Sequence, residues 1–244
     1  MTASDIPEIS YDSAQVGTSV PLAESLAAAA TALYETEGYA ETARVGALLA
    51  RDIVPDADHA GISLVERVGD VRTVAWTDEV IRTLDAATGC GAGCAMGWPG
   101  LWDSPVVRME DIAACDGHGP VLTENGLRSA LFLRLRGHQR RFSVLTLYSR
   151  KPSAFDDESV RVGRLFSAHL GIALDSVEVR EQLAEAMHTR DVIGQATGIL
   201  MGSMNIDASQ AFDRLVRASQ KGNVKLRDIA SRIVEVRSTE QHPG

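Results

Sequence analysis

RDVIGQATGILM, at residues 190–201, is the first of three amphipathic segments near the end of the chain, and AFDRLVRAS (211–219) and LRDIASRIV (226–234) follow it. Apolar side chains recur in each segment at the three- and four-residue spacing of one helix face. Each segment therefore predicts a helix that buries one side. Short polar stretches separate the segments, so we expect a small three-helix bundle.

The residues between the segments carry signals for helix ends. Asp207 stands before the second segment with Gln210 three positions later, which is the pattern of an N-terminal cap. Asn223 precedes the third segment, and Gly222 tolerates the left-handed conformation in which helices often end. The core of this bundle is predicted to consist of Ile193, Ala196, Leu200, Met201, Phe212, Leu215, Leu226, Ile229 and Ile233.

These blocks, in this order, resemble the ANTAR family of RNA-binding antitermination modules over about residues 176–237. The resemblance implies a module that binds hairpins in nascent messenger RNA and prevents a transcription terminator from forming. The sequence departs from the family at Thr197, where many relatives carry lysine, so that this chain reads ATG in place of AKG. The departure predicts one cationic phosphate contact fewer.

RNA contacts are expected where the first helix of the bundle lies near the basic second turn. Gly198 is included because a residue without a side chain permits close approach of a helix or of RNA. The chain has no Tyr or Trp beyond Tyr148, so base stacking would have to come from arginine. The predicted RNA-contact residues are Arg190, Gln195, Thr197, Gly198, Lys221, Lys225 and Arg227.

The charge of the whole chain, formally -9, opposes binding to nucleic acid. Residues 188–244 hold eight Lys or Arg against six Asp or Glu, a net charge of +2, which leaves -11 for the remainder. An acidic body repels RNA from everywhere except this tail. We therefore expect modest, salt-sensitive RNA binding. The alternative is that the basic residues only solvate helix faces.

The residues before the bundle predict a larger domain that begins with helices. Residues 1–20 are polar and aperiodic, and predict a flexible arm. A helix is expected from Pro21 onward, and a second one over about 41–53 with Pro55 ending it.

After these helices the apolar period changes to two. The long region 84–120 is rich in Gly and Pro and is expected to be irregular. Turns are expected at 68–70 and in the polar linker 136–141. The predicted strands, which form two hairpins, are 60–65, 71–76, 129–135 and 142–148.

GLRSALFLRL (126–135) and LTLYSRKPSAFDDESV (145–160) resemble the GAF family, and the resemblance covers about residues 36–175. It implies a sensor domain that controls the RNA-binding module within one regulator. The expected fold class is α+β, with an antiparallel sheet and flanking helices joined by a long helix to the all-α bundle. The predicted domains are the arm 1–20, the sensor 21–175 with its core at 36–175, the ANTAR-like domain 176–237 and a tail 238–244.

The connecting helix carries apolar residues at seven-residue intervals. Such spacing favours parallel pairing of two helices, and thus a homodimer. The alternative is one helix that packs only on its own sheet. The residues concerned are Leu165, Ile172, Val179, Ala186 and Ile193, with Leu183 at a second seam position.

Cys90, Cys94, Cys115 and His118 read as C-x3-C followed by C-x2-H, and superficially resemble a structural zinc site. Their spacing is loose, and in related GAF domains this region is typically a glycine-rich loop with a cysteine, here TGCGAGCAMG (88–97). We therefore predict small buried thiols and no metal, with metal or redox sensing as the alternative.

Three tryptophans are candidates for lining a small-molecule pocket, namely Trp76, Trp98 and Trp102. The alternative for each is ordinary core or rim packing. The input to the sensor is thus expected to be a small molecule or a redox signal, which the sequence does not name.

Several functional classes lack their motifs. The chain has no G-x4-G-K-[ST], G-x-S-x-G or H-E-x-x-H, so neither an enzyme nor a cofactor is expected. An odd number of cysteines in an acidic chain without an export signal favours the cytoplasm. No apolar run reaches the roughly 20 residues of a membrane span. The competing functions are a helix-turn-helix-like DNA-binding regulator and a protein-interaction module with a thiol- or metal-sensing loop.

Overall fold

The computed structural model describes residues 16–66, 71–82, 99–114, 119–138 and 141–241. The chain divides into two compact units, Met1–Glu178 and Val179–Gly244. Among the helices of the described residues, none combines the length and the apolar character that a bilayer crossing requires.

Two helices begin the first unit, α1 (Val16–Tyr34) and α2 (Tyr39–Ile53). The prediction that the first helix starts at Pro21 was wrong, and residues 16–20 of the predicted arm are helical. Pro21 lies in the second turn of α1, where its missing N–H removes a hydrogen bond without ending the helix. As predicted, α2 ends before Pro55, because Val54 takes an extended conformation.

A five-stranded sheet forms the centre of the first unit. Its strands are β1 (His59–Glu66), β2 (Val71–Trp76), β3 (Val106–Met109), β4 (Ser129–His138) and β5 (Arg141–Ser149). The strand order is β2-β1-β5-β4-β3, and every neighbouring pair is antiparallel.

The region 84–120 is more regular than predicted in its described part. It contains the edge strand β3, two short 3-10 helices (Pro99–Trp102 and Ile112–Ala114) and the start of α3 (Gly119–Glu124). Elements of three to six residues are too short to show a hydrophobic period, so the sequence pattern missed them.

The hairpin of β4 and β5 is longer than predicted and takes in most of the expected linker 136–141. The pairing of β4 with β5 shifts register between Arg134 and Gly137 and then continues to the end of β4. The other predicted turn, 68–70, lies outside the described residues.

The longest helix, α4, spans Asp157–Met204 and begins at the acidic triplet, as predicted. The carboxylate of Asp156 accepts hydrogen bonds from the backbone N–H (2.8 Å) and the hydroxyl (3.0 Å) of Ser159. These bonds hold the pKa of Asp156 below its ordinary value. Asp157 and Glu158 follow in the first turn, where negative charge complements the helix dipole.

Alternating side chains give the sheet two buried faces. Leu131 and Leu147 belong to the cluster that packs against α1, α2 and the first half of α4, to which α4 contributes Phe166. Phe132 and Tyr148 belong to the cluster on the opposite face, under the 3-10 helices and α3. The predicted α+β fold with an antiparallel sheet and flanking helices is confirmed.

The second unit is the predicted three-helix bundle, made by the end of α4 with α5 (Ala208–Gly222) and α6 (Leu226–Gln241). The centre of the core is a cluster of three buried residues, one from each helix: Ala196, Leu215 and Ala230. Ala211 of α5 is also buried. Since α6 continues to Gln241, the predicted tail at 238–244 begins inside a helix.

Two predicted core residues are exposed. Met201 keeps 37% of its surface and Phe212 keeps 43%. Met201 lies five residues after buried Ala196, so helix geometry directs it about 140° away from the core. Phe212 follows buried Ala211 and lies on the flank of α5. The predicted spacing of the apolar residues was correct, but the prediction assigned too many residues to the buried face of each helix.

Asparagine residues end both α4 and α5. Asn205 (φ 51°) and Asn223 (φ 48°) take the left-handed conformation. The prediction that Gly222 has this role and that Asn223 caps the next helix was wrong, since Gly222 is the last residue of α5. The predicted cap at Asp207 is confirmed, because its carboxylate accepts a 2.8 Å hydrogen bond from the backbone N–H of Gln210.

Candidate nucleic-acid interface

The turn between α5 and α6 presents two of the predicted RNA-contact residues, Lys221 and Lys225. The Val224 N–H donates to the Ser219 carbonyl (3.1 Å), and the Ser219 hydroxyl donates to the Val224 carbonyl (2.6 Å). These bonds close the turn and leave both lysines exposed. Neither lysine has a carboxylate partner among the described residues.

Arg227, in the first turn of α6, is already paired. Its guanidinium forms an ion pair with Glu185 of α4, and its Nε lies 3.4 Å from a carboxylate oxygen of Asp228. Glu185 is not among the residues predicted for this site, since 42 residues separate it from Arg227 and no local sequence pattern relates the two. The contact brings the second turn of the bundle beside α4, about one and a half turns before Arg190.

The predicted contact residues on α4 do not share one face. Gln195 and Thr197 flank buried Ala196, so each points about 100° away from the core, in opposite directions. The Thr197 hydroxyl donates a 2.7 Å hydrogen bond to the Ile193 carbonyl, and is thus partly satisfied within the helix. Arg190 is exposed, seven residues before Thr197 on the same side, and has no ionic partner in the described part of the chain.

Gly198 does not serve close helix packing. A Cβ built at this position would meet no atom of the described residues within 4 Å outside its own helix, and the same holds for Gly194 and Gly202. One of the two roles that the sequence suggested for Gly198 is therefore wrong. The other role, close approach of RNA to bare backbone, remains a prediction.

An exposed apolar row follows the seven-residue repeat of α4. Leu165 and Ile172 belong to the first unit, and Val179 (61% exposed) and Leu183 (60% exposed) to the second. Ser176 lies between Ile172 and Val179, and its hydroxyl donates a 2.7 Å hydrogen bond to the Ile172 carbonyl. Ile193 continues the seven-residue repeat in sequence but does not belong to the exposed row, because it packs on the bundle core.

The sheet face opposite the long helix carries two of the three tryptophans. Trp76 and Trp102 pack on the same hydrophobic cluster. The ring centroids of Trp102 and Phe142 are 4.6 Å apart in an edge-to-face arrangement. The Trp76 indole N–H donates to Glu79 (3.3 Å), and Arg82 lies over its ring. Trp98 lies outside the described residues.

The four metal or redox candidates also lie outside the described residues, namely Cys90, Cys94, Cys115 and His118. Over residues 16–66, 71–82, 99–114, 119–138 and 141–241, no group of three or more His, Cys, Asp or Glu side chains could hold a metal ion.

The chain is thus a two-module protein, in which a long helix joins an antiparallel α+β domain to a helical bundle with a cationic turn. Family comparison makes this specific: a GAF domain matches residues 36–175 and an ANTAR domain matches residues 181–234. The chain belongs to the GAF domain family and carries an ANTAR domain after it. Comparison with curated proteins yields no match.

Solved structures support the fold assignment. The GAF domain of a phosphoenolpyruvate-protein phosphotransferase from Coxiella burnetii is similar over 66% of this chain and 96% of its own, with 12% identity and a TM-score of 0.55. The photosensory core module of Stigmatella aurantiaca phytochrome covers 83% of this chain, with 11% identity and a TM-score of 0.57.

Bacteriophytochrome RpBphP3 from the photosynthetic bacterium R. palustris covers 74% of this chain, with 12% identity and a TM-score of 0.56. The present chain spans only 43% of that bacteriophytochrome and 45% of the Stigmatella protein. At these identities the likeness concerns the fold alone.

Proposed function

We propose that this chain is a transcription antitermination regulator whose ANTAR domain binds hairpins in nascent messenger RNA under control of the GAF domain. The observation that carries the proposal is the group of exposed cations Arg190, Lys221 and Lys225, none of which has a carboxylate partner in the described chain. Cations without internal partners are free to neutralise phosphates. The acidic remainder disfavours RNA elsewhere.

The test is retention of nucleic acids by the full chain at one fixed salt concentration. The probes are a pool of single RNA hairpins with randomised loops, the same hairpins joined in pairs, and duplex DNA with matched stems. We expect retention of the hairpins over the duplex. Stronger retention of duplex DNA would support a DNA-binding regulator instead, and no retention of any probe would support a protein-interaction module.

Replacement of Gly198 by alanine separates stability from binding. Because the new methyl group meets open space, Gly198→Ala should stabilise the bundle by up to about 1 kcal/mol through helix propensity. If RNA approaches the backbone here, hairpin affinity should nevertheless fall about fivefold. Thermal unfolding and hairpin titration measure the two effects. Gly202→Ala, one turn later and equally open, is the matched control and should leave affinity unchanged.

Equal affinities of the wild type and Gly198→Ala, with the stability gain present, would remove Gly198 from the RNA interface.

The exposed row on α4 supports a homodimer through this helix. Leu165, Ile172, Val179 and Leu183 would be buried by a second copy that presents the same row. The Ser176 hydroxyl, satisfied by its own helix, would not oppose burial at such a seam. In the described residues nothing else covers these side chains, since Val179 and Leu183 keep about three fifths of their surface.

Charge at the seam should dissociate the dimer. Leu183→Glu would place two carboxylates opposite each other in an apolar seam, so we expect the dimer dissociation constant to rise at least tenfold. Analytical ultracentrifugation measures it. Ala184→Glu adds the same side chain one position later, away from the row, and should leave a dimer. A wild-type chain that is monomeric at micromolar concentration would disprove this pairing.

Pairing would also give the sensor a means of control. Two bundles held together bind two linked hairpins with an effective concentration that depends on their spacing. A small-molecule or redox signal at the GAF domain that changes how the two α4 helices pack would change this spacing. The monomeric Leu183→Glu variant should therefore keep its affinity for single hairpins and lose the additional affinity for paired hairpins.

A further inference from the structure

A groove of about 730 Å³ opens on the ANTAR bundle between the end of α4, α5 and α6. Apolar side chains from α4 and α6, among them Leu200, Ile229 and Ile233, line it. Arg214 and Arg217 of α5 line it as well. An apolar surface bordered by two guanidinium groups is thus open in the described bundle.

The two arginines continue into the basic turn. Arg214, Arg217 and Lys221 follow one another at spacings of three and four residues, which places them on one side of α5. All three are exposed, and none forms an ion pair with a described residue. Asp213 also lines the groove, but it makes no ion pair with Arg217 four residues later.

Such a row costs stability, because like charges at these spacings repel each other by a few tenths of a kcal/mol per pair. An anionic ligand along the row would remove this cost. The row connects the groove with Lys221, one of the residues already proposed to contact RNA.

We propose that the groove receives an unstacked base of the hairpin loop, while Arg214 and Arg217 bind its flanking phosphates or stack on its face. This inference rests on the proposed RNA-binding function and adds a base-recognition site to it. RNA fits both parts of the site: bases splayed from a loop are flat and largely apolar on their faces, and phosphates are anionic. Guanidinium groups can pair with phosphate and stack on a base, which suits a bundle without Tyr or Trp.

An acidic protein helix is the other ligand that such a surface could take. The continuity of the cations with the second turn favours RNA, because a polynucleotide carries phosphates at regular intervals along its path.

The site can be filled without changing charge or core. Ala218 lines the groove and is exposed, so Ala218→Leu should occupy groove volume while the buried residues stay in place. Ser209→Leu, exposed on another side of α5 and outside the groove, is the matched control. The double variant Arg214→Ala with Arg217→Ala tests the cations separately.

The probe is the tightest single hairpin from the randomised pool, together with versions in which each loop nucleotide in turn is abasic. For wild type, we expect one abasic position to weaken binding about tenfold, the order of a lost base stack. Ala218→Leu should bind the intact hairpin about tenfold more weakly and should no longer distinguish that abasic position. Ser209→Leu should behave as wild type.

The outcomes separate the two proposals. If wild type retains no hairpin, both the RNA-binding function and the base site fail. If wild type binds, but Ala218→Leu and the arginine double variant bind the hairpin and its abasic series as wild type does, only the base site fails. The base site also fails if an acidic helical peptide binds the groove and leaves hairpin affinity unaffected.

Discussion

Reversal of the two lysine charges at the second turn, Lys221→Glu with Lys225→Glu, should weaken hairpin binding by about a hundredfold at 0.1 M salt. Each lost phosphate contact is taken as about 1.4 kcal/mol, or tenfold in affinity. The slope of log affinity against log salt should become shallower by about two, one for each lysine. Filter binding or fluorescence titration over a salt series measures both quantities.

These two lysines give a cleaner test than Arg227. A glutamate at position 227 would face Glu185 and disturb the fold as well as the interface. The lysines have no carboxylate partner in the described chain, so their reversal breaks no internal ion pair.

The control is Arg72→Glu with Arg164→Glu, which changes the net charge equally at two exposed positions of the first unit. It should cost little affinity. A similar loss in both double variants would mean that net charge alone governs binding, and the localised interface would be rejected.

Phe166→Ala should destabilise the GAF domain by about 3–5 kcal/mol. Phe166 is 1% exposed and packs in the cluster between the sheet and its helices, so its removal leaves a cavity in addition to the lost burial. Domains are typically stable by only about 5–15 kcal/mol, so such a loss should shift the unfolding midpoint strongly. All three tryptophans lie between residues 76 and 102, so their fluorescence reports unfolding of this domain during urea titration.

Arg164→Ala is the control on the same helix. Arg164 is exposed and has no ion-pair partner in the described residues, so its truncation should change stability by less than about 0.5 kcal/mol. A loss of under 1 kcal/mol for Phe166→Ala would contradict the close packing of α4 on the sheet.

Patterns within a few residues of each other predicted much of this architecture. Short-range periodicity predicted the helices of the bundle, at a spacing of three to four residues, and the strands β4 and β5. Acidic residues at adjacent positions predicted the start of α4. The same local logic predicted the cap at Asp207. It failed for β3, whose four residues have no readable period, and for Gly222, where Asn223 could supply the left-handed residue equally well.

The features of the candidate interface also fall into two groups, those that the sequence predicts and those that depend on packing. Its basic residues and the absence of Tyr and Trp beyond Tyr148 are properties of the sequence alone. Which cations are available is a property of packing: Arg227 is paired with Glu185, a residue distant in the chain, while Lys221 and Lys225 are not paired in the described residues.

The opposite directions of Gln195 and Thr197, the open space at Gly198 and the groove beside Arg214 likewise depend on how three helices meet. Periodicity identifies which side of one helix is apolar, because it depends only on the geometry of that helix. It does not identify the neighbour that each side chain meets, since that depends on contacts between residues far apart in the chain.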